Sequence, residues 1–232
     1  MRFAPLLFAL AACSRADGDP MPRGPIVLEL FTSQGCSSCP PADRLLNKLA
    51  RDSTTERPLA PLSFHVDYWD DLGWPDPFAK SSFTERQRQY ARTLGDKSVY
   101  TPELVIGGAK GMVGSNALAI STAIANATPP ALLPTKSVWS ASHLEVTATA
   151  PADADVWVAV WEDGTKTKVT RGENAGETLV HDRVVRHLER VAMAGKKGTT
   201  AIELDPSWRA VGAVAFAQRT DRKIVASAFL RR

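Results

Sequence analysis

Residues 26–43 of the chain read IVLELFTSQGCSSCPPAD. The first six of them, residues 26–31, form a short apolar run that is typical of a buried strand. Cys36 and Cys39 follow at the spacing C-x-x-C, and leucines then recur at helical spacing. The stretch therefore predicts a strand, a turn with two cysteines, and a helix that begins near Pro40–Pro41. A proline disfavours helical geometry in the residue before it, so Cys39 is expected to depart from helical geometry.

The two cysteines of this turn are best explained as a redox pair. The chain has three cysteines, of which Cys13 lies near the start, and four histidines that are scattered without the spacing of metal ligands. A disulfide between Cys36 and Cys39 encloses too few residues to stabilise the fold through chain entropy. A redox dithiol is therefore favoured, while a metal-binding pair and an inert remnant remain as alternatives.

The chain after this turn alternates between predicted strands and helices. Apolar runs predict strands over residues 62–66, 103–106 and 111–113, and helical spacing predicts helices over residues 81–94 and 116–127. The resulting order is strand, helix, strand, helix, strand, strand, helix. A strand, a crossover helix and a second strand form a parallel unit, so the first two strands should end at the same edge of one sheet.

This order, with C-x-x-C between the first strand and the first helix, resembles the thioredoxin superfamily over roughly residues 25–128. A second match is Thr101–Pro102, directly before the third predicted strand. The resemblance implies that this peptide bond is cis and faces the dithiol, since cis X-Pro bonds are rare and usually functional. It also implies that Cys36 is the attacking thiol and that Cys39 resolves the mixed disulfide.

Polar and aromatic residues are expected to support the dithiol. Asp67, Tyr68 and Trp69 follow the second strand and should emerge beside the cysteines, and Trp74 continues the same loop. The three aromatic residues are candidates for binding a partner, although packing over the end of the sheet explains them equally well. For Glu29, in the first strand, the resemblance implies a buried acid that assists the resolving thiol. A strand residue that faces polar neighbours is the alternative.

The second half of the chain differs in composition. Three prolines lie within residues 129–137, which predict a linker. Beyond it, residues 138–232 show period-two alternation and frequent turns, which are typical of a β-sandwich. The strands predicted there cover residues 143–150, 155–161, 166–170, 179–191, 199–204, 211–218 and 224–230. The predicted fold class is therefore an α/β thioredoxin-like domain over residues 25–128, followed by an all-β sandwich-like domain.

The first 24 residues predict export. Residues 1–12 combine a basic residue with an apolar run, as a signal peptide does. The run ends in Leu10-Ala11-Ala12-Cys13, which resembles the lipobox of bacterial lipoproteins and implies a lipid on Cys13. An ordinary cleaved signal is the alternative. Residues 13–24 are polar and predict a tether. We expect a periplasmic protein, anchored to the outer membrane because Ser14 is not the aspartate that retains many lipoproteins at the inner membrane.

Composition and charge narrow the possible functions. The chain is 44% hydrophobic and carries a formal net charge of +3, which fits neither a disordered chain nor a nucleic-acid-binding protein. We expect no nucleic-acid partner, no metal and no cofactor. The expected function is an exported thiol–disulfide oxidoreductase or electron relay that acts on a protein or on a small thiol or disulfide. The alternatives are a redox-inactive binding module and a protein that handles copper or zinc through the two thiolates.

Four segments together resemble a family of secreted bacterial proteins, the domain of unknown function 1223. They are ELFTSQGCSSCPPAD at residues 29–43, HVDYW at 65–69, YTP at 100–102 and RGENAG at 171–176. The likeness spans nearly the whole chain after the signal. It implies a thioredoxin-like domain without a settled activity, so the function has to be argued from the site.

Overall fold

The computed structural model describes residues 23–54 and 57–232. They form three α-helices, which are α1 (Pro40–Arg51), α2 (Ser81–Leu94) and α3 (Ala117–Asn126), and a short 3₁₀ helix at Asp70–Leu72. The strands are β1 (Ile26–Thr32), β2 (Leu59–His65), β3 (Glu103–Ile106), β4 (Lys110–Val113), β5 (Ala131–Leu132), β6 (Thr135–Trp139), β7 (His143–Thr149), β8 (Ala154–Glu162), β9 (Thr165–Lys168), β10 (Thr178–His181), β11 (Val184–Ala192), β12 (Lys197–Glu203), β13 (Val211–Arg219) and β14 (Ile224–Leu230).

The first helix begins where the two prolines predict. α1 starts at Pro40 because proline tolerates the first helical turn, where its missing N–H has no partner to lose. The expectation that Cys39 lies outside helical geometry is wrong, since this residue has φ −80° and ψ −37°. Its carbonyl accepts hydrogen bonds from the amides of Ala42 (2.9 Å) and Asp43 (3.1 Å). These bonds of the first helical turn outweigh the preference that the following proline imposes.

One mixed sheet runs through both halves of the chain. Its nine strands follow the order β4-β3-β1-β2-β11-β8-β13-β14-β5. β1 pairs with β2 in parallel and with β3 antiparallel, and β11 pairs antiparallel with β8. The join between the halves is the parallel pairing of β2 with β11 at Ser63 and Val184, where the Ser63 amide donates to the Arg183 carbonyl at 2.8 Å. A three-stranded sheet (β12-β7-β6) and the pair β10-β9 complete the structure.

The predicted fold class, a thioredoxin-like α/β domain followed by a separate β-sandwich, is wrong. The described residues contain more strand than helix, with three α-helices, and the strands of the first half continue into a nine-stranded sheet. The physical reason is that β2 offers a second edge, and β11 occupies it, which no local pattern in the sequence reveals. The domain boundaries stay a prediction. The expected linker, residues 129–137, contains β5, which pairs with β14.

Three apolar clusters hold the sheets and helices together. One packs α1 and α3 against β1 and β3. A second packs α2 over the centre of the large sheet, where Phe31 and Phe64 of the first half share a core with Val185 and Phe216 of the second. The third lies between the large sheet and the three-stranded sheet. The second cluster buries apolar side chains from both halves together, so folding of each half is coupled to the other.

A buried ion pair crosses this second cluster. Glu29 of β1 is fully buried, and its carboxylate accepts hydrogen bonds from Nε (2.5 Å) and Nη2 (3.0 Å) of Arg86 on α2. The Tyr90 hydroxyl donates to the same carboxylate. Gln218 of β13 accepts from Arg86 at 3.1 Å and donates to Tyr90 at 2.7 Å. The network thus fixes β1, α2 and β13 relative to one another.

The predicted signal peptide, Cys13 and all but the last two residues of the tether lie outside the described residues. Where the structure is described, no helix is long and apolar enough to cross a membrane. The first described residue, Arg23, forms a bridge with Ala131 of β5, and the Gly24 amide donates to the Pro130 carbonyl at 2.9 Å. The chain therefore enters the fold beside β5.

Arg86→Met should destabilise the fold strongly. Removing the guanidinium leaves the Glu29 carboxylate buried without its counter-charge, which typically costs about 3–5 kcal/mol. Urea unfolding followed by circular dichroism measures this loss in the free energy of unfolding. The matched control is Arg92→Met, which breaks an exposed ion pair with Glu85 on the same helix and should leave the stability nearly unchanged. Equal small effects of both changes contradict the assigned role of the network.

Candidate functional site

The C-x-x-C turn connects β1 to α1 and is closed by a disulfide. Cys36 and Cys39 are bonded to each other, with their Cα atoms 5.4 Å apart. Both cysteine residues are 0% exposed, whereas Ser37 and Ser38 between them are exposed. The Ser38 hydroxyl lies 3.3 Å from Sγ of Cys36. After reduction, this hydroxyl can donate a hydrogen bond to a Cys36 thiolate.

A loop from the second half of the chain covers this turn. We call residues 171–176, which lie between β9 and β10, the RGENAG loop. Asn174 of this loop is 6% exposed, and its side-chain amide donates to the carbonyls of Gln34 (2.9 Å) and Cys36 (3.0 Å). The carboxylate of Glu173 accepts from the Ser37 amide at 2.9 Å. The backbone on both sides of Cys36 is therefore held by two adjacent residues of the loop.

The RGENAG loop also packs against the aromatic loop that follows β2. Gly172 has φ +78°, and a Cβ there would lie 3.1 Å from Cβ of Trp74, so this close approach favours glycine. The Trp74 indole N–H donates to the side chain of Gln34 at 3.2 Å. The predicted position of Trp74 beside the turn is consistent with this contact. The contact is structural, so a role of Trp74 in partner binding stays a prediction.

Thr101–Pro102 lies at the same edge of the sheet. Its peptide bond is cis, as the sequence predicted. The Thr101 carbonyl lies 3.5 Å from the Ser38 hydroxyl, and the Thr101 hydroxyl accepts from the indole N–H of Trp69 at 2.8 Å. The structure thus brings Thr101 and Trp69 to the C-x-x-C turn. Their roles in supporting a reaction or binding a partner stay predictions.

Three other predicted site residues are engaged elsewhere. The Asp67 carboxylate accepts from the Thr84 hydroxyl at 2.5 Å, and the Tyr68 hydroxyl donates to Gln87 at 3.2 Å, so both side chains bind α2. Burial raises the pKa of Tyr68 to about 12. Glu29 lies on the face of β1 that packs against α2, opposite to the face that packs against α1. The structure therefore does not bring the Glu29 carboxylate to the disulfide.

A cluster of buried ionisable side chains lies behind the first turn of α1. We call Asp43, His65, Asp76 and His181 the Asp–His cluster, and each is at most 5% exposed. Nδ1 of His65 lies 2.6 Å from Oδ2 of Asp76. The rings of His65 and His181 meet edge to face with centroids 4.9 Å apart, and Nδ1 of His181 lies 3.7 Å from Oδ2 of Asp43.

The Asp–His cluster is bonded to both ends of the C-x-x-C turn. Before the turn, the Gln34 amide donates to Asp76 at 2.7 Å. After it, the Asp43 amide donates to the Cys39 carbonyl, and the Asp43 carboxylate accepts from the Thr32 hydroxyl at 2.8 Å. A change in the charge of this cluster therefore alters the electrostatic environment of the disulfide, because only a few hydrogen bonds in a poorly solvated interior separate the two.

Burial sets the protonation of this cluster. It raises the pKa of the Asp43 carboxyl to about 6. It also lowers the pKa of His181 to about 3, with help from the positive charge of His65. Burial opposes the charge on His65 as well, but the adjacent Asp76 carboxylate outweighs it and raises the pKa of His65. At neutral pH His181 is thus uncharged, and the Asp76 carboxylate favours the protonated form of His65.

Sequence reasoning missed most of the residues that surround the turn. Asp43, Glu173 and Asn174 stand inside the family-like segments, which is the signal that could have indicated them. Asp76 and His181 carry no such signal, because contacts that form only in the folded sheet bring them to His65. Within residues 23–54 and 57–232, no group of three or more His, Cys, Asp or Glu side chains is arranged to hold a metal ion.

Comparison with known proteins identifies the family. The family described as "Protein of unknown function (DUF1223)" matches residues 27–218, and the chain belongs to it. The crystal structure of protein AGR_C_4864 from Agrobacterium tumefaciens is similar over 91% of this chain and 96% of its own, with 27% identity and a TM-score of 0.68. HBP35 of Porphyromonas gingivalis shares the fold at 15% identity, with a TM-score of 0.62, over 89% of this chain and 74% of its own. No curated protein matches the chain.

His181→Leu should make the fold more resistant to mild acid. In the unfolded chain His181 takes up a proton below its ordinary pKa of 6.5, but in the fold it stays neutral down to about pH 3. Acidification from pH 7 to pH 5 therefore costs the wild type about 2 kcal/mol through this residue, at 1.36 kcal/mol per pH unit below 6.5. Denaturant unfolding at both pH values measures the difference.

The matched control is His143→Leu, which removes an exposed histidine of β7 outside the cluster and should leave the pH dependence unchanged. If His181→Leu loses as much stability between pH 7 and pH 5 as the wild type does, then His181 is not a buried neutral histidine.

Proposed function

We propose that this member of the DUF1223 family is a thiol–disulfide oxidoreductase that acts through Cys36 and Cys39. The observation that carries the proposal is the position of the disulfide. It spans a turn of two exposed serines between β1 and α1, at the edge of the sheet where Thr101 also lies. Such a short bridge adds little stability through chain entropy, so exchange chemistry accounts for it better than reinforcement of the fold.

The exchange that we propose begins with attack by a thiolate of a partner dithiol on the sulfur of Cys36. The Cys36–Cys39 bond breaks, a mixed disulfide forms, and Cys39 leaves as a thiolate that takes up a proton. The partner's second thiol then attacks its own sulfur in the mixed disulfide and releases Cys36. The partner has lost two electrons and two protons, which this chain has gained. The reverse sequence reduces a partner disulfide.

The surroundings of Cys36 favour a disulfide of intermediate reduction potential over a strongly oxidising one. A strong oxidant needs a stabilised thiolate, usually through a nearby cation or a helix N-terminus. Here the Ser38 hydroxyl supports a thiolate, but the carboxylate of Glu173 bonds the neighbouring Ser37 amide and places a negative charge close by. These two influences oppose each other, so we expect a reduction potential in the range of general exchange proteins, about −270 to −180 mV.

A redox-inactive binding module is the second candidate. Its specific support is that both cysteines are 0% exposed, since an exchange disulfide has to be reached by a partner's sulfur. The two candidates differ in reduction potential, which a glutathione or dithiothreitol series measures. A value below about −300 mV indicates an inert disulfide and favours the binding module.

We also propose that the protein acts outside the cytoplasm, held to a membrane by a lipid on Cys13. The support is the signal-like and lipobox-like sequence at residues 1–13, together with a dithiol that can persist in oxidised form in such a compartment. An intact mass of the mature protein without a lipid on Cys13 contradicts the anchor.

Replacing the two cysteines one at a time tests the proposed function. Cys39→Ala keeps the attacking thiol and removes the resolving one, so mixed disulfides with partners should accumulate on non-reducing gels. Cys36→Ala should trap almost nothing, because Cys39 lies at the start of α1 with its backbone bonded into the helix. The matched control is Ser37→Ala, which leaves both thiols in place. If neither cysteine variant traps a partner and the wild type does not exchange with a small disulfide, the proposed function is wrong.

Asn174→Ala should speed the reduction of the disulfide. The Asn174 side chain bonds the carbonyls of Gln34 and Cys36 where the turn begins, so its loss frees the RGENAG loop to move away from Cys36. We expect the second-order rate constant for reduction by dithiothreitol to rise about tenfold, which corresponds to the loss of one to two hydrogen bonds. Samples are quenched and alkylated at timed intervals under pseudo-first-order conditions, and intact mass gives the fraction of reduced protein.

The control for this change is Asn126→Ala, at an exposed asparagine at the end of α3, which should reduce at the wild-type rate. An Asn174→Ala protein that is folded and is reduced no faster than the wild type shows that the RGENAG loop does not limit access.

A further inference from the structure

We propose that the groove between α1 and β10 binds an extended segment of a protein substrate as an added strand on β10, with a cysteine of that segment delivered to Cys36. This inference rests on the proposed function and names its substrate class as polypeptide.

The groove starts at the C-x-x-C turn. It has a volume of about 470 Å³ and runs from Ser37, past Pro40 and Pro41, to Asn47 on the α1 side. Residues 177–181, which include all of β10, form the opposite side. A ligand that lies along the groove therefore has one end next to Cys36, because Ser37 follows that cysteine directly.

β10 presents unused backbone groups to this groove. In an antiparallel pair, residues alternate between bonding their partner strand and facing away from it. The amide of Val169, which directly follows β9, donates to the Glu177 carbonyl at 2.9 Å, so the residues at 177, 179 and 181 face β9. By alternation, the backbone N–H and C=O groups of Thr178 and Val180 face away from β9, on the side of α1.

Asn47 shows that this edge of β10 accepts a strand-like partner. Its side-chain amide donates to the Val180 carbonyl at 3.1 Å, and its side-chain oxygen accepts from the Asp182 amide at 2.9 Å. One residue of a parallel neighbouring strand makes the same pair of bonds, through its own N–H and C=O groups. Asn47 thus ends the groove by imitating one residue of an added strand. It leaves the amide and carbonyl of Thr178 and the amide of Val180 without a partner among the described residues.

The side chains along the groove suit a peptide. Asp43 and His181 line it and are 96% or more buried, yet Oδ2 of Asp43 and both ring nitrogens of His181 have no hydrogen-bond partner among the described residues. Val180 is 42% exposed and offers an apolar contact at the rim. A peptide has alternating amide donors and carbonyl acceptors as well as apolar side chains, so it matches both features, whereas a small thiol reaches neither β10 nor Val180.

The test compares two activated disulfides that differ only in length. One is a blocked eight-residue alanine–threonine peptide with a central cysteine, joined through a disulfide to 2-nitro-5-thiobenzoate. The other is N-acetylcysteine methylamide with the same leaving group. The Cys36 thiolate of the reduced protein attacks the cysteine sulfur, the bond to thionitrobenzoate breaks, and the coloured thiolate is released. We expect the peptide to react at least about tenfold faster than the short compound, as added-strand binding predicts.

Two changes test whether the advantage comes from the backbone of β10. Val180→Pro removes an N–H that faces away from β9, so it keeps the pairing of the hairpin and should bring the rates for peptide and short compound to within twofold of each other. Val180→Leu keeps the N–H and should keep the peptide's advantage. With the wild-type protein, the same peptide methylated on alternate backbone nitrogens should react no faster than the short compound, which covers the case in which Val180→Pro does not fold.

The outcomes separate this inference from the function on which it rests. If both activated disulfides react with the wild type at equal rates, the docking proposal is overturned and the oxidoreductase remains. If the methylated peptide reacts as fast as its parent, strand addition is likewise overturned. If neither compound reacts with the reduced protein, the proposed function itself fails.

Discussion

The pairing of β2 with β11 is the constraint on which the rest of this structure depends. β2 bonds β1 on one edge, and its other edge meets β11 at Ser63 and Val184. Because β10 precedes β11 by only two residues, this pairing brings β10 alongside α1, and the loop before β10 over the disulfide. The hydrogen bond from Asn174 to Cys36 joins residues 138 positions apart in the chain, and it exists only because the sheet is continuous.

Buried ion pairs fix the elements of this arrangement relative to one another. Glu29 and His65 on neighbouring strands are both fully buried, and each has an opposite charge from a different element, Arg86 of α2 and Asp76 of the loop after β2. Desolvating a charge is tolerable only when its partner is already in place. If the elements that carry such partners separate, a charge is left without its partner in an interior that solvates it poorly. The elements around the C-x-x-C turn therefore form a fixed frame.

Local features of this chain could be predicted from sequence, and long-range ones could not. The bounds of α2 and β3 and the start of α1 at Pro40 agree with the sequence patterns, because each is set by neighbouring residues, and the cis bond before Pro102 agrees with what the family resemblance implied. Hydrophobic periodicity shows which face of a strand is buried but does not name the strand that covers its edge. Hence the join at Ser63 was missed, and with it the fold class, the RGENAG loop and the contact of His181 with His65.

The burial of the disulfide and the groove beside it are two aspects of one arrangement. Asn174 bonds the Cys36 carbonyl and also lines the groove between α1 and β10. Ser37 lines the same groove and is held by Glu173. A polypeptide that occupies the groove thus meets the residues that cover Cys36, and hydrogen bonds to its backbone can replace those that hold the RGENAG loop closed. A small thiol offers no such replacement, so under the proposed function the cover of the disulfide would favour a protein substrate.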